Sequence, residues 1–330
     1  MRLRRLAAFA AALALLAAPL ARAAAPAPAA SAARDCPPLA QPFSAADDAA
    51  GLRDGTDSGF LWKATKDGRT SWLYGTIHVA QRDWRYPGPH VLAAIKASDA
   101  VVLELDADDP DTVTRLQRLL ARKPGAPELP PALAARLRAQ MAEACIAPTV
   151  LDGLRPEMRA VTVEILGGRR LGLQPDYGID RYLAELARSL GKPVRALETP
   201  ELQASLLVSD DPRETQRSVA DLLDELESGR APGILGRLAD DWRTGKLDDL
   251  SAYADWCGCL DTPAQRADFA RLIDARNPAM AARIAEWHAA GRALFVAVGS
   301  LHMTGSIGLP ALLREKGFEV ERVEFAATSK

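Results

Sequence analysis

Apolar residues along this chain recur in two rhythms, short runs that mark strands and four-residue spacings that mark helices. Phe60-Leu61-Trp62-Lys63-Ala64 and Thr70-Ser71-Trp72-Leu73-Tyr74 read as two strands. Lys66-Asp67-Gly68-Arg69 between them carries the Asp-Gly signal of a tight hairpin. Val101-Val102-Leu103-Glu104-Leu105 reads as a short apolar strand interrupted by a carboxylate. Val194-Arg195-Ala196-Leu197, Leu294-Phe295-Val296-Ala297-Val298 and the alternating segment 318–325 complete the set.

Helical spacing appears in Leu133, Leu137 and Met141, in Ile179, Leu183, Leu186 and Leu190, and in Met280, Ile284 and Trp287. Asp109-Pro110, Thr199-Pro200, Thr262-Pro263 and Asn277-Pro278 are helix starts, each offering a polar cap before a proline. Glycines at 167–168, 191, 291 and 317 are stops. Segments 90–97, 156–166, 176–190, 212–229, 234–244, 247–256 and 305–316 are also helical in pattern, and the helix from Thr262 is expected to end near Arg276. Strands thus cluster at both ends and at one central point, with long helical stretches between. That pattern predicts an α/β fold with a central mixed sheet built from N-terminal, middle and C-terminal strands, interrupted by large helical insertions.

The amino-terminal stretch departs from both rhythms. Arg2, Arg4 and Arg5 precede an alanine- and leucine-rich run over 6–20, and Ala21-Arg22-Ala23 fits a small-x-small cleavage site. Residues 1–23 are therefore expected to be a signal peptide, and the protein to be exported to a periplasmic or extracellular compartment. Residues 24–56, rich in Ala and Pro, read as a flexible tether, leaving 57–330 as the folded domain. No later segment is long and apolar enough to span a membrane.

Charge narrows the choice of partners. Four of the 41 basic residues fall in 1–23, so the remainder holds 37 against 43 acidic residues, a net of about −6. A nucleic-acid partner would call for a basic face, so none is expected. Cys36, Cys145, Cys257 and Cys259 would meet an oxidising compartment, where one or two disulfides form. Three full pairings are open, and Cys257-Gly258-Cys259 lacks the two-residue spacer of common metal and redox motifs.

The chemistry centres on a repeated unit. Gly75-Thr76-Ile77-His78 and Gly299-Ser300-Leu301-His302 each follow a predicted strand by a glycine, a hydroxyl residue and an aliphatic residue. In open α/β sheets ligands sit beyond the carboxyl ends of strands. Glu104 is costly among aliphatic residues unless paired or metal-bound, although an edge-strand position facing water would also accommodate it. Two histidines and a carboxylate form a standard ligand set for a divalent cation such as Mn, Co or Zn. Asp180, in the first turn of its helix, and Glu198, closing a strand, are second-tier acids. Arg276 suits either a helix dipole or a substrate oxyanion. His90 and His288 fit structural or exposed roles better. His-Glu-x-x-His, Gly-x-Ser-x-Gly, Walker and Gly-x-Gly-x-x-Gly patterns are all absent from the sequence.

The ordered set Leu73-Tyr74-Gly75-Thr76-Ile77-His78, Leu103-Glu104-Leu105, Gly178-Ile179-Asp180, Leu197-Glu198-Thr199, Arg276-Asn277 and Val298-Gly299-Ser300-Leu301-His302, with Gly305 and Gly308-Leu309, resembles the TraB/GumN/TIKI family over roughly 58–325. The resemblance implies a fold related to erythromycin-esterase and ChaN-like proteins. It also implies an active site of His78, His302, Glu104 and Arg276. Animal TIKI members are metal-dependent proteases, and ChaN-like proteins bind haem. The expectation is an exported metal-dependent hydrolase of peptide or protein substrates, with Asp180 or Glu198 orienting a histidine or acting as base. The alternative is a haem-binding or protein-interaction module on the same fold.

Overall fold

The computed structural model describes residues 35–325. The expected signal peptide at 1–23, and the tether as far as residue 34, lie outside the described residues. Six strands form one sheet: β1 (Phe60–Lys66), β2 (Arg69–Thr76), β3 (Ala100–Leu103), β4 (Val194–Ala196), β5 (Leu294–Gly299) and β6 (Glu319–Val323). Their spatial order is β4-β3-β5-β2-β1-β6. The four strands from β4 to β2 pair in parallel, and β1 pairs antiparallel with both β2 and β6. This is the mixed α/β sheet expected from the sequence, drawn from both ends and the middle of the chain.

The helices are α1 (Ala45–Asp54), α2 (Pro89–Ala97), α3 (Pro110–Leu120), α4 (Pro131–Glu143), α5 (Pro156–Gly167), α6 (Ile179–Ser189) and α7 (Pro200–Leu207). They continue with α8 (Pro212–Ser228), α9 (Ala231–Thr244), α10 (Leu247–Ser251), α11 (Tyr253–Trp256), α12 (Pro263–Phe269), α13 (Asn277–Ala289) and α14 (Leu309–Glu315). The hairpin between β1 and β2 turns on Asp67 and Gly68, both at positive φ (50° and 72°), the conformation a two-residue turn of matching twist requires. Thr199, Asp109 and Thr262 cap their helices through side-chain oxygens, each with proline in the first turn.

Leu294 to Val298 of β5 are fully buried, which is why this strand reads as an unbroken apolar run rather than an alternating one. Each of its Leu, Phe and Val side chains contributes about 1.5–3 kcal/mol of burial. One apolar cluster joins the sheet to α2, α6, α13 and α14, and a second lies among α3, α4, α5, α7 and α8.

Several expectations shift. Helix α6 begins at Ile179, because Pro175–Tyr177 forms a separate 3-10 turn. The helix expected from Thr262 to Arg276 is α12 followed by a π-helical turn over Ala270–Asp274. Strand β3 stops at Leu103, so Glu104 lies just past its end rather than within it. The described part of the expected tether holds α1, closed by a capping box at Ser44. Phe43 packs edge-on to Tyr86 and Tyr177, and Cys36 is bonded to Cys145. Cys257 is bonded to Cys259, so that pair is a buried disulfide. Among the described residues no helix is long and apolar enough to cross a membrane.

Candidate functional site

Parallel strands share one carboxyl edge, and here that edge gathers the polar residues. His78 follows the end of β2, Glu104 that of β3, Glu198 that of β4 and His302 that of β5, each within three residues. A helix leading into or out of a parallel strand runs opposite to it. Helices α6, α7 and α13 therefore begin at this same edge and deliver Asp180, Gln203 and the Arg276-Asn277 pair. Trp242 of α9 donates its indole N–H to the Gly75 carbonyl at 2.8 Å, securing the chain just before His78.

Glu104 is the centre. Its Oε1 accepts the Gly299 backbone N–H at 2.8 Å and lies 3.9 Å from Nε2 of both His78 and His302. Its Oε2 accepts Arg276 Nη2 at 2.5 Å. Arg276 also grips Glu198 with two bonds, Nε to Oε1 at 2.7 Å and Nη2 to Oε2 at 2.6 Å. Nη1 donates to the Leu272 carbonyl at 2.8 Å and meets His302 Nε2 at 3.1 Å. All five guanidinium N–H groups are thus engaged. Gln203 closes the acid pair, donating Nε2 to Glu198 at 2.9 Å and to Glu104 at 3.4 Å.

The two histidines are braced differently. His78 Nδ1 lies 2.6 Å from Asp180 Oδ2, and Thr76 donates to Asp180 Oδ1 at 2.5 Å. His302 Nδ1 meets Asn277 Oδ1 at 2.6 Å. The repeated units are also tied together, because Ser300 Oγ donates to the Thr76 carbonyl at 2.8 Å. The hydroxyl residue in each Gly-[Ser/Thr]-x-His unit therefore has a bonding role.

Electrostatics separates these groups. Burial works to raise the Glu104 carboxyl, but Arg276, His302 and His78 outweigh it and hold it at about 2. Burial pushes the His302 imidazole down to about 4, with Arg276 and His78 adding to the fall against Glu104. Burial also works to lower His78, yet Asp180 and Glu104 outweigh it and the net shift is upward. Arg276 is held firmly charged, its burial overcome by Glu104 and Glu198.

Among the described residues no group of three or more His, Cys, Asp or Glu side chains stands so that it could hold a metal ion. Two observations nevertheless suit a cation. His78 Nε2 is buried without a hydrogen-bond partner. A Cβ at Gly299 would lie 3.2 Å from that nitrogen and 3.3 Å from Glu104 Oε1, so the missing side chain leaves a small cradle between the donors. Two imidazoles and a carboxylate are a donor set that fits a divalent ion with open positions. Gly178 serves a related purpose, since a Cβ there would strike the His78 carbonyl oxygen at 2.6 Å.

The structure brings together His78, Glu104, Asp180, Glu198, Arg276 and His302. Arg276 directly follows the π-helical turn, whose Leu272 carbonyl it bonds as a helix-terminal cation does, and it is also the N-cap of α13. Asp180 meets a histidine, whereas Glu198 meets Arg276 and Gln203. His288 bonds Ser71 and the Lys66 carbonyl deep in the core, and His90 pairs with Asp57 at the surface. Sequence reasoning assigned no place in the site to Gln203, Asn277, Thr76 or Ser300, and it took Asn277 for a helix cap, whereas Arg276 is the N-cap of α13 and Asn277 its first residue. For Gln203 the available signal was a polar residue on the buried face of a short helix, four positions after its cap.

The TraB/PrgY/gumN family profile matches residues 60–322. The uncharacterized protein YbaP of Shigella flexneri is 26% identical over 261 residues, covering 74% of this chain and 88% of that protein. YbaP of Escherichia coli K12 is 25% identical over 283 residues, covering 77% and 97%. Metalloprotease TIKI1 of Danio rerio is 27% identical over 309 residues, covering 79% of this chain but only 62% of that protein. No solved structure gives a significant match.

Proposed function

The chain belongs to the TraB/PrgY/gumN family, and on that premise we propose that it is an exported, metal-dependent hydrolase acting on peptide bonds. The observation that carries this reading is Glu104 Oε1 lying 3.9 Å from the Nε2 atoms of two histidines at the carboxyl edge of the sheet. The similarity to a metalloprotease supports it. His78, His302 and Glu104 would hold a divalent cation, Mn, Co or Zn. Such an ion, when bound, polarises a carbonyl and acidifies a water.

The chain's own residues prepare that position. Arg276 keeps Glu104 ionised, so the carboxylate is available as a donor at neutral pH. Asp180 anchors Nδ1 of His78 and leaves Nε2 directed toward Glu104. Glu198 and Gln203 hold Arg276 and Glu104 in register. Arg276 Nη1 faces His302 Nε2 at 3.1 Å, so a guanidinium donor stands at the site, where it would stabilise negative charge developing on a substrate oxygen. Ordering of this kind favours attack at a carbonyl held near Glu104.

The test is metal analysis of the purified protein followed by cleavage of a peptide library with added Mn, Co or Zn. The parent is expected to bind about one ion and cleave peptides, whereas Glu104→Gln and His302→Ala lose both. Retention of metal and activity in either variant overturns the assignment.

A further inference from the structure

Hydrogen bonds around His302 fix its protonation pattern as well as its orientation. Asn277, the first residue of α13, is fully buried. Its Nδ2 donates to the Ile307 carbonyl at 2.9 Å. A backbone carbonyl only accepts, so the end of the amide facing Ile307 must be the NH2 end. The other end, Oδ1, lies 2.6 Å from His302 Nδ1. An amide oxygen also only accepts, so Nδ1 carries the hydrogen. On the far side of the ring, Nε2 faces Arg276 Nη1 at 3.1 Å, and a guanidinium only donates. Each ring nitrogen therefore meets a group of one polarity.

We propose that Asn277 is a positioning residue that locks His302 in the Nδ1–H tautomer, turning the Nε2 lone pair toward Glu104 and Arg276. Without that acceptor only the Arg276 guanidinium opposes a hydrogen on Nε2, and a hydrogen there would close the lone pair to any ligand. His78 reaches the same end by a different route, through the Asp180 carboxylate and Thr76.

The backbone before α13 makes this double grip possible. The Ala275 amide bonds the Ala270 carbonyl, five residues back, at 2.7 Å, and the Arg276 amide bonds Ile273, three back, at 3.2 Å. This π-helical turn shifts the register by a residue before α13 begins. The Leu272 carbonyl within it accepts Arg276 Nη1 at 2.8 Å. Consecutive residues, Arg276 and Asn277, then engage opposite nitrogens of one imidazole.

The inference rests on the metal-site reading for its consequence but not for its readout. Ring 15N shifts of His302 in the metal-free protein report the tautomer directly. The parent is expected to show the Nδ1–H form. Asn277→Leu should lose it and bind Zn or Mn about 10–100-fold more weakly, the usual cost of removing a group that orients a ligand. Asn277→Asp, which keeps an acceptor at Nδ1, should restore the tautomer and most of the affinity. An Nε2–H tautomer in the parent overturns the proposal even if no variant folds. So does Asn277→Leu retaining both the tautomer and the affinity. If the parent shows the Nδ1–H form yet binds neither ion, the tautomer assignment stands and the metal-dependent function falls.

Discussion

Gly299→Ala isolates the space between the candidate ligands. Gly299 has φ −51° and ψ 137°, a conformation any residue adopts, so alanine introduces no backbone strain. Its backbone N–H still reaches Glu104. The whole effect is one methyl group, placed 3.2 Å from His78 Nε2, 3.3 Å from Glu104 Oε1 and 3.8 Å from His302 Cδ2. Relief requires the first two atoms to retreat by a few tenths of an ångström. Neither moves freely, because His78 is held by Asp180 at 2.6 Å and Glu104 by Arg276 at 2.5 Å. Overpacking of this size costs about 1–2 kcal/mol, the lower part of the usual range. In a domain this large that lowers Tm by roughly 2–6 °C. The functional loss should be far greater, because a methyl in the cradle displaces two donors at once. Metal affinity and peptide cleavage should fall by about 100-fold or more. Gly233→Ala is the control: a Cβ on this exposed helical glycine would have nothing within 4 Å, and alanine there should stabilise the protein by about 0.5–1 kcal/mol with activity unchanged. Calorimetry, equilibrium dialysis with Zn or Mn, and peptide cleavage measure the three quantities. A Gly299→Ala protein that binds metal and cleaves peptide like the parent refutes the reasoning.

Two further outcomes concern stability. Burial, with Glu225 nearby, pushes the Glu164 carboxyl up to about 8 from an ordinary 4.5. Its folded form therefore keeps a proton the unfolded chain has released, so this stabilising contribution is complete below pH 4.5 and is lost as pH rises through about 8. The parent Tm should decline across that window, at up to about 1.4 kcal/mol per pH unit from this group, while Glu164→Gln stays flatter and exceeds the parent above pH 8. Parallel Tm profiles for the two proteins would count against the assignment. The Cys36–Cys145 disulfide closes a separation of 109 residues, so Cys36→Ser should cost about 4–5 kcal/mol by chain entropy, measured as a lower denaturant midpoint. Breaking Cys257–Cys259, with a separation of 2, should cost much less, and equal losses would overturn that account.

Much of the architecture is legible without coordinates. The unbroken apolar run of β5, the Asp67-Gly68 turn and the polar-residue-plus-proline helix starts each record a local rule. These are short-range matters, decided by backbone sterics, capping and burial on one or both faces. The two Gly-[Ser/Thr]-x-His units also stand out, because a glycine and a histidine after a buried strand form a local pattern.

Only the tertiary structure decides which residue meets which. Glu198 and Asp180 look alike in sequence, yet one is bonded to Arg276 and the other braces His78. Arg276 lies at the end of one helical segment, as expected, but is also the cap of the next, and the π-helical turn before it is invisible to a periodic reading. Asn277 acquires its purpose from a partner 25 residues away, and Gln203 joins a near neighbour, Glu198, to Glu104, 99 residues away. The disulfide pairing, open among three choices, is settled by the same route. The physical reason is common to all of these. A local pattern reports what a residue does to its own backbone and to water, whereas a hydrogen bond or ion pair between distant residues exists only after the sheet order places four carboxyl ends side by side.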